Sequence, residues 1–172
     1  SKRNRCCAAA YGEMIIHWDD DDWMADWRVS YQVQQLLATG AALCGLDQVF
    51  FYNPQTDQAW RYRYPQGGRA WVYGGSLGYR KAFWQAHPFP DQRIGEDTSF
   101  VWLAKTHEVL ALPDQRFYVG IVHAANTSPK RTAGQRWQSI PAAHIQELWK
   151  EMSVATVNKL DTTRANGNST TP

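Results

Sequence analysis

Short apolar runs bounded by turn residues alternate along this chain with longer segments of helical period. The short runs predict β-strands at 14–18, 49–52, 60–64, 109–112 and 117–122. The segments of helical spacing predict helices over 2–11, 23–38, 80–86, from 96 onward and over 141–158. Helices interleaved with strands in this way are typical of an α/β domain.

Two of the predicted helices have a defined apolar stripe. The stripe of the 23–38 segment consists of Val29, Val33, Leu36 and Leu37. The stripe of the helix that begins at 96 consists of Phe100, Leu103 and Ala104. Gly40 follows the first of these segments and predicts its C-terminal cap.

The segment 60–64 alternates aromatic and basic residues with a period of two. That period predicts a strand with its rings on one face and its arginines on the other. The simplest interpretation is a hairpin strand whose rings cover the core while the arginines meet water. The aromatic face is also a candidate platform for an acceptor molecule.

Composition limits the classes of function. The 172 residues suit one domain, which we expect over 1–160, followed by a polar, disordered tail over 161–172. The net charge of +2 without long basic blocks does not indicate a nucleic-acid partner. No apolar run reaches the length of a membrane span, and the first residues lack the apolar core of a secretory signal.

The three cysteines, Cys6, Cys7 and Cys44, are interpreted as reduced thiols, mostly buried on a helix. Their number is odd, two of them are adjacent, and no Cys-x-x-Cys spacing is present. Reduced thiols are typical of a cytoplasmic protein, so a cytoplasmic location is expected.

Four consecutive aspartates, Asp19 to Asp22, follow the apolar run at 14–16. Like charges at such close spacing repel one another unless a cation joins them, and a divalent ion with oxygen ligands is the usual solution. In open α/β sheets, ligands bind beyond the carboxyl ends of strands. An acidic turn that caps the next helix is the alternative, but capping needs one aspartate and leaves three unexplained. The pattern therefore favours a metal site.

Two further polar groups also lie at the ends of predicted elements. Glu96 and Asp97 follow Gly95 at the start of a helix, where backbone N–H groups hold a carboxylate ionised, as a general base requires. His123 follows the strand at 117–122. A lone histidine is more often structural, and His123 gains weight only in company with the two acidic groups. The other four histidines are interpreted as structural or surface residues.

In this order the motifs resemble the middle of a family 2 glycosyltransferase with the GT-A fold, over roughly 2–130. The segments that carry the resemblance are Lys-Arg-Asn at 2–4, Ala-Tyr-Gly-Glu at 10–13, the His-Trp-Asp-Asp-Asp-Asp-Trp run at 17–23, Gly-Gly-Ser at 74–76, Arg-Lys at 80–81, Gly-Glu-Asp at 95–97, His123, and Asn-Thr-Ser at 126–128. The resemblance implies a mixed sheet flanked by helices. It implies transfer of a sugar, with inversion, from a nucleotide-sugar donor to an acceptor hydroxyl.

The resemblance also implies residue roles. Asp21 and Asp19 match the ends of an Asp-x-Asp motif: Asp21 would ligate Mn²⁺ or Mg²⁺, Asp19 would contact the ribose or a metal-bound water, and His123 would complete the protein's share of the shell. Asp97, with Glu96 before it, would be the base that takes the acceptor proton. Expected contacts to donor or acceptor come from Asp20, Asp22, Gly74, Gly75, Ser76, Trp71, Asn126 and Lys130. The glycines would let the backbone approach the donor closely.

The family's domain opens with strands that hold the nucleotide base, and this sequence begins after them. The resemblance therefore implies a partial domain that lacks the N-terminal nucleotide-binding strands. The strand at 14–18 would then be an exposed sheet edge. A homodimer or a partner chain is expected to cover that edge.

Two other classes of function remain open. One is a non-catalytic, degenerate glycosyltransferase module that binds sugar, metal or a partner chain. The other is a metal-dependent phosphoester hydrolase, since acidic loops with a histidine suit that chemistry as well. The Gly-Glu-Asp and Gly-Gly-Ser segments argue against the hydrolase.

Overall fold

The computed structural model describes residues 2–151, except 66, 93, 127 and 129. Its helices are α1 (Lys2–Ala9), α2 (Arg28–Thr39), α3 (Lys81–Ala86), α4 (Glu96–Val101) and α5, which is helical over 142–151. Its strands are β1 (Met14–Ile16), β2 (Trp23–Met24), β3 (Leu43–Gly45), β4 (Gln48–Asn53), β5 (Gln58–Arg63), β6 (Gly78–Arg80), β7 (Val109–Ala111), β8 (Tyr118–Ile121) and β9 (Trp137–Ile140). Short 3-10 turns cover Gly74–Ser76 and Thr106–Glu108.

The strands form two mixed sheets. The four-stranded sheet has the order β1-β6-β3-β7, and the five-stranded sheet has the order β2-β8-β4-β5-β9. Each contains one parallel pair, β3 with β7 and β4 with β8, while the other pairs are antiparallel. The mixed α/β class expected from the sequence is therefore confirmed. Of the described strands, only β6 pairs with β1, which leaves β1 at an edge of its sheet.

The five-stranded sheet is covered on both faces, and the side chains of β4 pack on both. Val49 and Phe51 pack into a core with α2 and β8, whereas Phe50 and Tyr52 pack on the other face against Ile145 and Leu148 of α5. Because successive strand residues point to opposite faces, a continuous apolar run is what a doubly covered strand requires. A separate core lies between α1, the four-stranded sheet and α4, around Tyr79 and Phe100.

Helix α2 begins later than the sequence predicts and buries a different stripe. Trp23 pairs with β8 as part of a strand instead of starting the helix. The buried side of the helix carries Arg28, Gln32 and Leu36, while Val29 and Leu37 are 44% and 61% exposed. Leu36 is buried as predicted, but Val29 and Leu37 were wrongly placed in the stripe. Arg28 and Gln32 are buried against polar partners, which apolar periodicity does not detect. Gly40 caps the helix in the left-handed region, as expected.

Strand β5 confirms the alternation over 60–64. Trp60 and Tyr62 pack against the core, while Arg61 and Arg63 hydrogen-bond to Gln138 and Gln48. The packing of its rings depends on β9, which pairs with β5 and was not predicted. The hydrophobic pattern does not predict β9, since two of its four residues are polar and exposed.

Several smaller predictions need correction. Leu103 is 47% exposed because α4 ends at Val101, before the predicted stripe is complete. Cys44 lies on β3, and Cys6 is exposed, so only Cys7 fits the expectation of a buried thiol on a helix; all three are free. The tail at 161–172 and the end of the last predicted helix lie outside the described residues. None of the described helices has the length and apolar character needed to cross a bilayer.

Candidate functional site

The acidic loop meets the end of β8 because β2 pairs with that strand. The loop runs from the end of β1 to β2, whose Trp23 lies opposite Val119 of β8. His123 follows β8 by two residues, so the antiparallel pairing brings it back beside the loop. The Asp21 Oδ2 and His123 Nε2 atoms lie 3.2 Å apart, although the residues are 102 positions apart in the chain.

Asp22 anchors the loop to the same strand. Its Oδ1 accepts a 2.8 Å hydrogen bond from the backbone N–H of Ile121, and its Oδ2 accepts one from the hydroxyl of Tyr118. Burial raises the pKa of Asp22, and these two donors oppose that shift. Both oxygens thus serve the fold, which holds Asp21, its neighbour, next to His123.

Asp97 reaches the site across the Gly74–Ser76 turn. A Cβ atom on Gly74 would overlap the Asp97 carboxylate, so that carboxylate packs directly against the glycine backbone. A Cβ on Gly75 would lie 3.1 Å from Asp19 Oδ2 and would overlap the Tyr118 hydroxyl. The two glycines are therefore required for the close approach of Asp97 and Asp19 to the turn. The Oδ1 atom of Asp97 accepts a 2.7 Å hydrogen bond from the N–H of Thr98.

The carboxylates share one electrostatic environment. Burial raises the pKa of Asp19, the negative charges of Asp21 and Asp97 raise it further, and the guanidinium of Arg3 lowers it. Burial lowers the pKa of Lys130, whereas the charges of four aspartates, led by Asp22 and Asp97, raise it. Asp97 and Asp19 lie against neighbouring glycines of the turn, and Lys130 bonds to Tyr73 just before it, so the acidic loop, Asp97 and Lys130 form one cluster.

The two acids of the Glu-Asp pair point in different directions. Glu96 Oε1 accepts a hydrogen bond from Arg3 Nε at 3.1 Å, which forms an ion pair with α1. Arg3 also contacts the buried His17, whose pKa is lowered to about 3 by burial. Asp97 alone of the pair lies against the Gly74–Ser76 turn.

The other residues predicted to contact donor or acceptor differ in burial. Ser76 is fully buried: its hydroxyl donates to Tyr73 O and accepts from Leu46 N, so it serves the fold. Asn126 Oδ1 accepts a hydrogen bond from the backbone N–H of His123 at 2.9 Å, and Asn126 Nδ2 lies 2.9 Å from His123 Nε2. These two contacts orient the imidazole. Asp20 is exposed on the loop.

Two more predicted side chains lie around the cluster. Lys130 donates to the Tyr73 hydroxyl at 3.2 Å. Trp71 donates from Nε1 to Thr98 Oγ1 at 3.1 Å, which places its ring one residue from Asp97. Both therefore stand at the border of the acidic cluster and outside its buried part.

The described residues offer two possible donors to a divalent cation and no complete shell. Within the described part of the chain, no group of three or more His, Cys, Asp or Glu side chains is arranged to hold a metal. Two donors, Asp21 Oδ2 and His123 Nε2, do stand 3.2 Å apart. Adjacent ligands of an octahedral ion at about 2.1 Å would be about 3 Å apart. The spacing of this pair is compatible with two ligands of one ion, and His123 Nε2 also lies 2.9 Å from Asn126 Nδ2.

The sequence did not point to Arg28 and Gln32, which with the predicted Ser76 form the buried floor of the site. Arg28 donates to Gly75 O at 2.9 Å and to Gln32 Oε1 at 2.8 Å, and Gln32 donates to Ser76 O at 2.8 Å. Burial lowers the pKa of Arg28 to about 10, and Tyr118, Asp19 and Asp22 are among the groups that oppose the shift. The signal was present as Arg28 and Gln32 at i and i+4, in line with Leu36.

Comparison with known protein families finds no family model that matches the chain. A search of curated proteins likewise finds no match.

Proposed function

We propose that the chain is a metal-dependent, inverting glycosyltransferase domain of the GT-A type, which transfers a sugar from a nucleotide-sugar donor to an acceptor hydroxyl. The single observation that carries the proposal is the convergence of three distant segments. Asp21 contacts His123, and Asp97 packs on Gly74 next to the glycine that contacts Asp19. A carboxylate–imidazole pair beside a separate carboxylate suits a cation site with a nearby general base.

In this proposal Asp21 and His123 would hold Mn²⁺ or Mg²⁺, and His123 Nε2 would exchange its contact with Asn126 Nδ2 for the ion. Asp22 holds the loop in place through Ile121 N–H and the Tyr118 hydroxyl. When bound, the ion would neutralise the charge that develops on a diphosphate leaving group. Two protein donors leave coordination positions for diphosphate oxygens. Lys130, half-buried at the border of the cluster, supplies a further positive charge on the same side.

Asp97 is the general base of the proposed reaction. Its Oδ1 is fixed by the Thr98 N–H, and its other oxygen lies against the glycine turn. This position would let it accept the proton of an acceptor hydroxyl as that oxygen attacks the anomeric carbon from the face opposite the leaving diphosphate. A single displacement of this kind inverts the anomeric centre. Glu96 holds α4 to α1 through Arg3 and has a structural part.

A second candidate function is a non-catalytic module that binds metal, sugar or a partner chain. The specific observation in its favour is the small donor set, since two ligands bind an ion weakly without a substrate. The two candidates differ in whether nucleotide and metal bind together.

Calorimetry separates them. Mn²⁺ is titrated into the chain with and without UDP- and GDP-sugars, using Asp21→Asn, His123→Ala and the control Asp57→Asn, which changes an exposed aspartate between β4 and β5. We expect nucleotide to tighten Mn²⁺ binding, both ligand variants to lose about tenfold or more in metal affinity, and the control to keep it. Metal binding that ignores Asp21 and His123 would overturn the metal site. Metal binding without nucleotide coupling would favour the non-catalytic module.

The base assignment has its own test. Asp97→Asn keeps the shape of the side chain and removes the proton acceptor, so transfer should fall by about 10²–10⁴-fold while donor binding is unchanged. Unaltered transfer in this variant would remove Asp97 from the mechanism.

A further inference from the structure

A row of aromatic and arginine side chains leads away from Asp97 along α4. The segment 69–74 runs beside that helix in the opposite direction: Gly74 lies at Asp97, Trp71 bonds to Thr98, and Arg69 bonds to the carbonyl of Trp102. At 1.5 Å per helical residue, the two ends of the row are about 7 Å apart along the helix. We name Tyr64, Arg69, Trp71, Trp102 and Arg136 the arginine–aromatic wall.

The side chains of the wall contact one another through their rings. Tyr64 and Trp71 stack at 4.7 Å between centroids and 19° between planes. The guanidinium of Arg136 lies 5.5 Å from the centre of the Tyr64 ring, and that of Arg69 lies 5.6 Å from the Trp102 ring. A guanidinium that stacks through its face keeps N–H groups along its edge for an anion.

Like several other arginines of the described residues, and unlike Arg3 and Arg116, the arginines of the wall form no ion pair with a carboxylate. Arg3 pairs with Glu96 and Arg116 with Asp114, whereas none of the carboxylates in the described residues forms an ion pair with Arg69 or Arg136. Both of these arginines are exposed. Their positive charge is therefore not neutralised within the described fold, and the wall presents rings and cations side by side.

We propose that the arginine–aromatic wall binds the acceptor and that the acceptor is an anionic glycan, whose rings lie against Trp71 while its acid groups meet Arg69 and Arg136. This inference rests on the proposed function for the role of Asp97. Charge complementarity selects an acidic chain, and the aromatic surface selects sugar rings over a simple polyanion. The hydroxyl to be modified reaches Asp97 at the Gly74 end of the wall.

The test uses the metal-free chain and three probes: tetragalacturonate, the neutral maltotetraose and a tetraglutamate peptide, with affinity followed by tryptophan fluorescence. We expect tetragalacturonate to bind most tightly. Arg69→Gln and Arg136→Gln should each weaken its binding about tenfold, the loss of one charge-assisted contact, and leave maltotetraose unaffected. Trp71→Ala should weaken both sugars.

Arg63→Gln is the matched control, because Arg63 is likewise an exposed arginine but its side chain bonds to Gln48. It should leave all three affinities unchanged. The inference is overturned if tetragalacturonate binds no better than maltotetraose, if tetraglutamate binds equally well, or if the arginine variants behave as the control does.

Mn²⁺ titration of the same variants separates the two proposals. If metal binding still depends on Asp21 while glycan binding to the wall fails, the proposed function stands without the wall. Metal binding that ignores Asp21, with arginine-dependent glycan binding intact, removes the proposed function and keeps the wall as a glycan site.

Discussion

Polar side chains lie on both sides of the Gly74–Ser76 turn. In the floor beneath it they are buried and bonded to one another. In the rim above it they are exposed or half-buried. The floor joins Arg28, Gln32 and Ser76 to the backbone of the turn. The rim carries Asp21, His123, Asp97 and Lys130, and Asp21 Oδ2 lies 3.2 Å from His123 Nε2. Both regions hold ionisable groups, but Arg28 in the floor is buried, whereas those of the rim are exposed or half-buried.

The floor residues are expected to stabilise the fold around the site, and the rim residues are expected to contact a ligand. A buried polar group must find partners within the fold, since an unpaired one costs free energy. A ligand-binding group keeps part of its bonding capacity for the ligand. Replacements in the floor should therefore change stability first, and replacements in the rim should change binding or rate first.

Arg28→Met tests the floor with the largest expected effect. The change removes a cation that is fully buried and leaves Gly75 O and Gln32 Oε1 without that donor. We expect a loss of about 3 kcal/mol in the free energy of unfolding and a decrease of about 10 °C in Tm. Arg63→Met, which replaces an exposed arginine, should change Tm by little. Equal effects of the two variants in thermal melts would contradict the distinction between buried and exposed arginines.

Gly74→Ala tests the rim. Its new Cβ overlaps the Asp97 carboxylate, so the carboxylate must shift. Because a shift of about 1 Å in a catalytic group can lower a rate by about 100-fold, transfer should fall by that order while Asp21-dependent Mn²⁺ binding persists. Gly12→Ala, whose added Cβ meets only Met14 O at 3.4 Å, is the matched control. Single-turnover rates of the two variants should diverge; similar rates would argue against the position assigned to Asp97.

Tyr118→Phe examines the boundary between floor and rim. Tyr118 is fully buried and donates to Asp22, so removal of its hydroxyl should cost about 1.5–2 kcal/mol, the range for a hydrogen bond to a charged group. Tyr52→Phe removes a similar bond to Asp57 near the surface, and its cost should be below about 1 kcal/mol. Denaturant unfolding of both variants measures the difference. A larger loss for Tyr52→Phe would show that Asp22 does not anchor the loop.

Glu96→Gln should have the smallest effect. The amide keeps an acceptor for Arg3 Nε but loses the ion pair, whose members are 29% and 20% exposed. Transfer should remain within about threefold, and stability should fall by less than about 1 kcal/mol. Initial-rate assays beside Asp97→Asn provide the comparison. A loss of transfer as large as that of Asp97→Asn would show that the assignment of the base to Asp97 alone is wrong.

Much of the local structure could be predicted because short-range rules determine it. The run at 49–52 became β4, the alternation over 60–64 became β5, and Gly40 capped α2, since side-chain period and backbone freedom act over a few residues. Strand β9 and the pairing of Trp23 with β8 depend on partners far along the chain, and local pattern contains no information about them.

The candidate site divides in the same way. The amino-acid sequence by itself determined which side chains bear the chemistry: an acidic run after a strand, a Glu-Asp pair at the start of a helix and a histidine after another strand. Only the tertiary structure decided that Asp21 faces His123, that Asp97 and not Glu96 lies on Gly74, and that Arg28 is buried beneath them. The physical reason is that composition and order along the chain fix the available functional groups, while distances between them depend on strand pairing and on close backbone approaches at glycines.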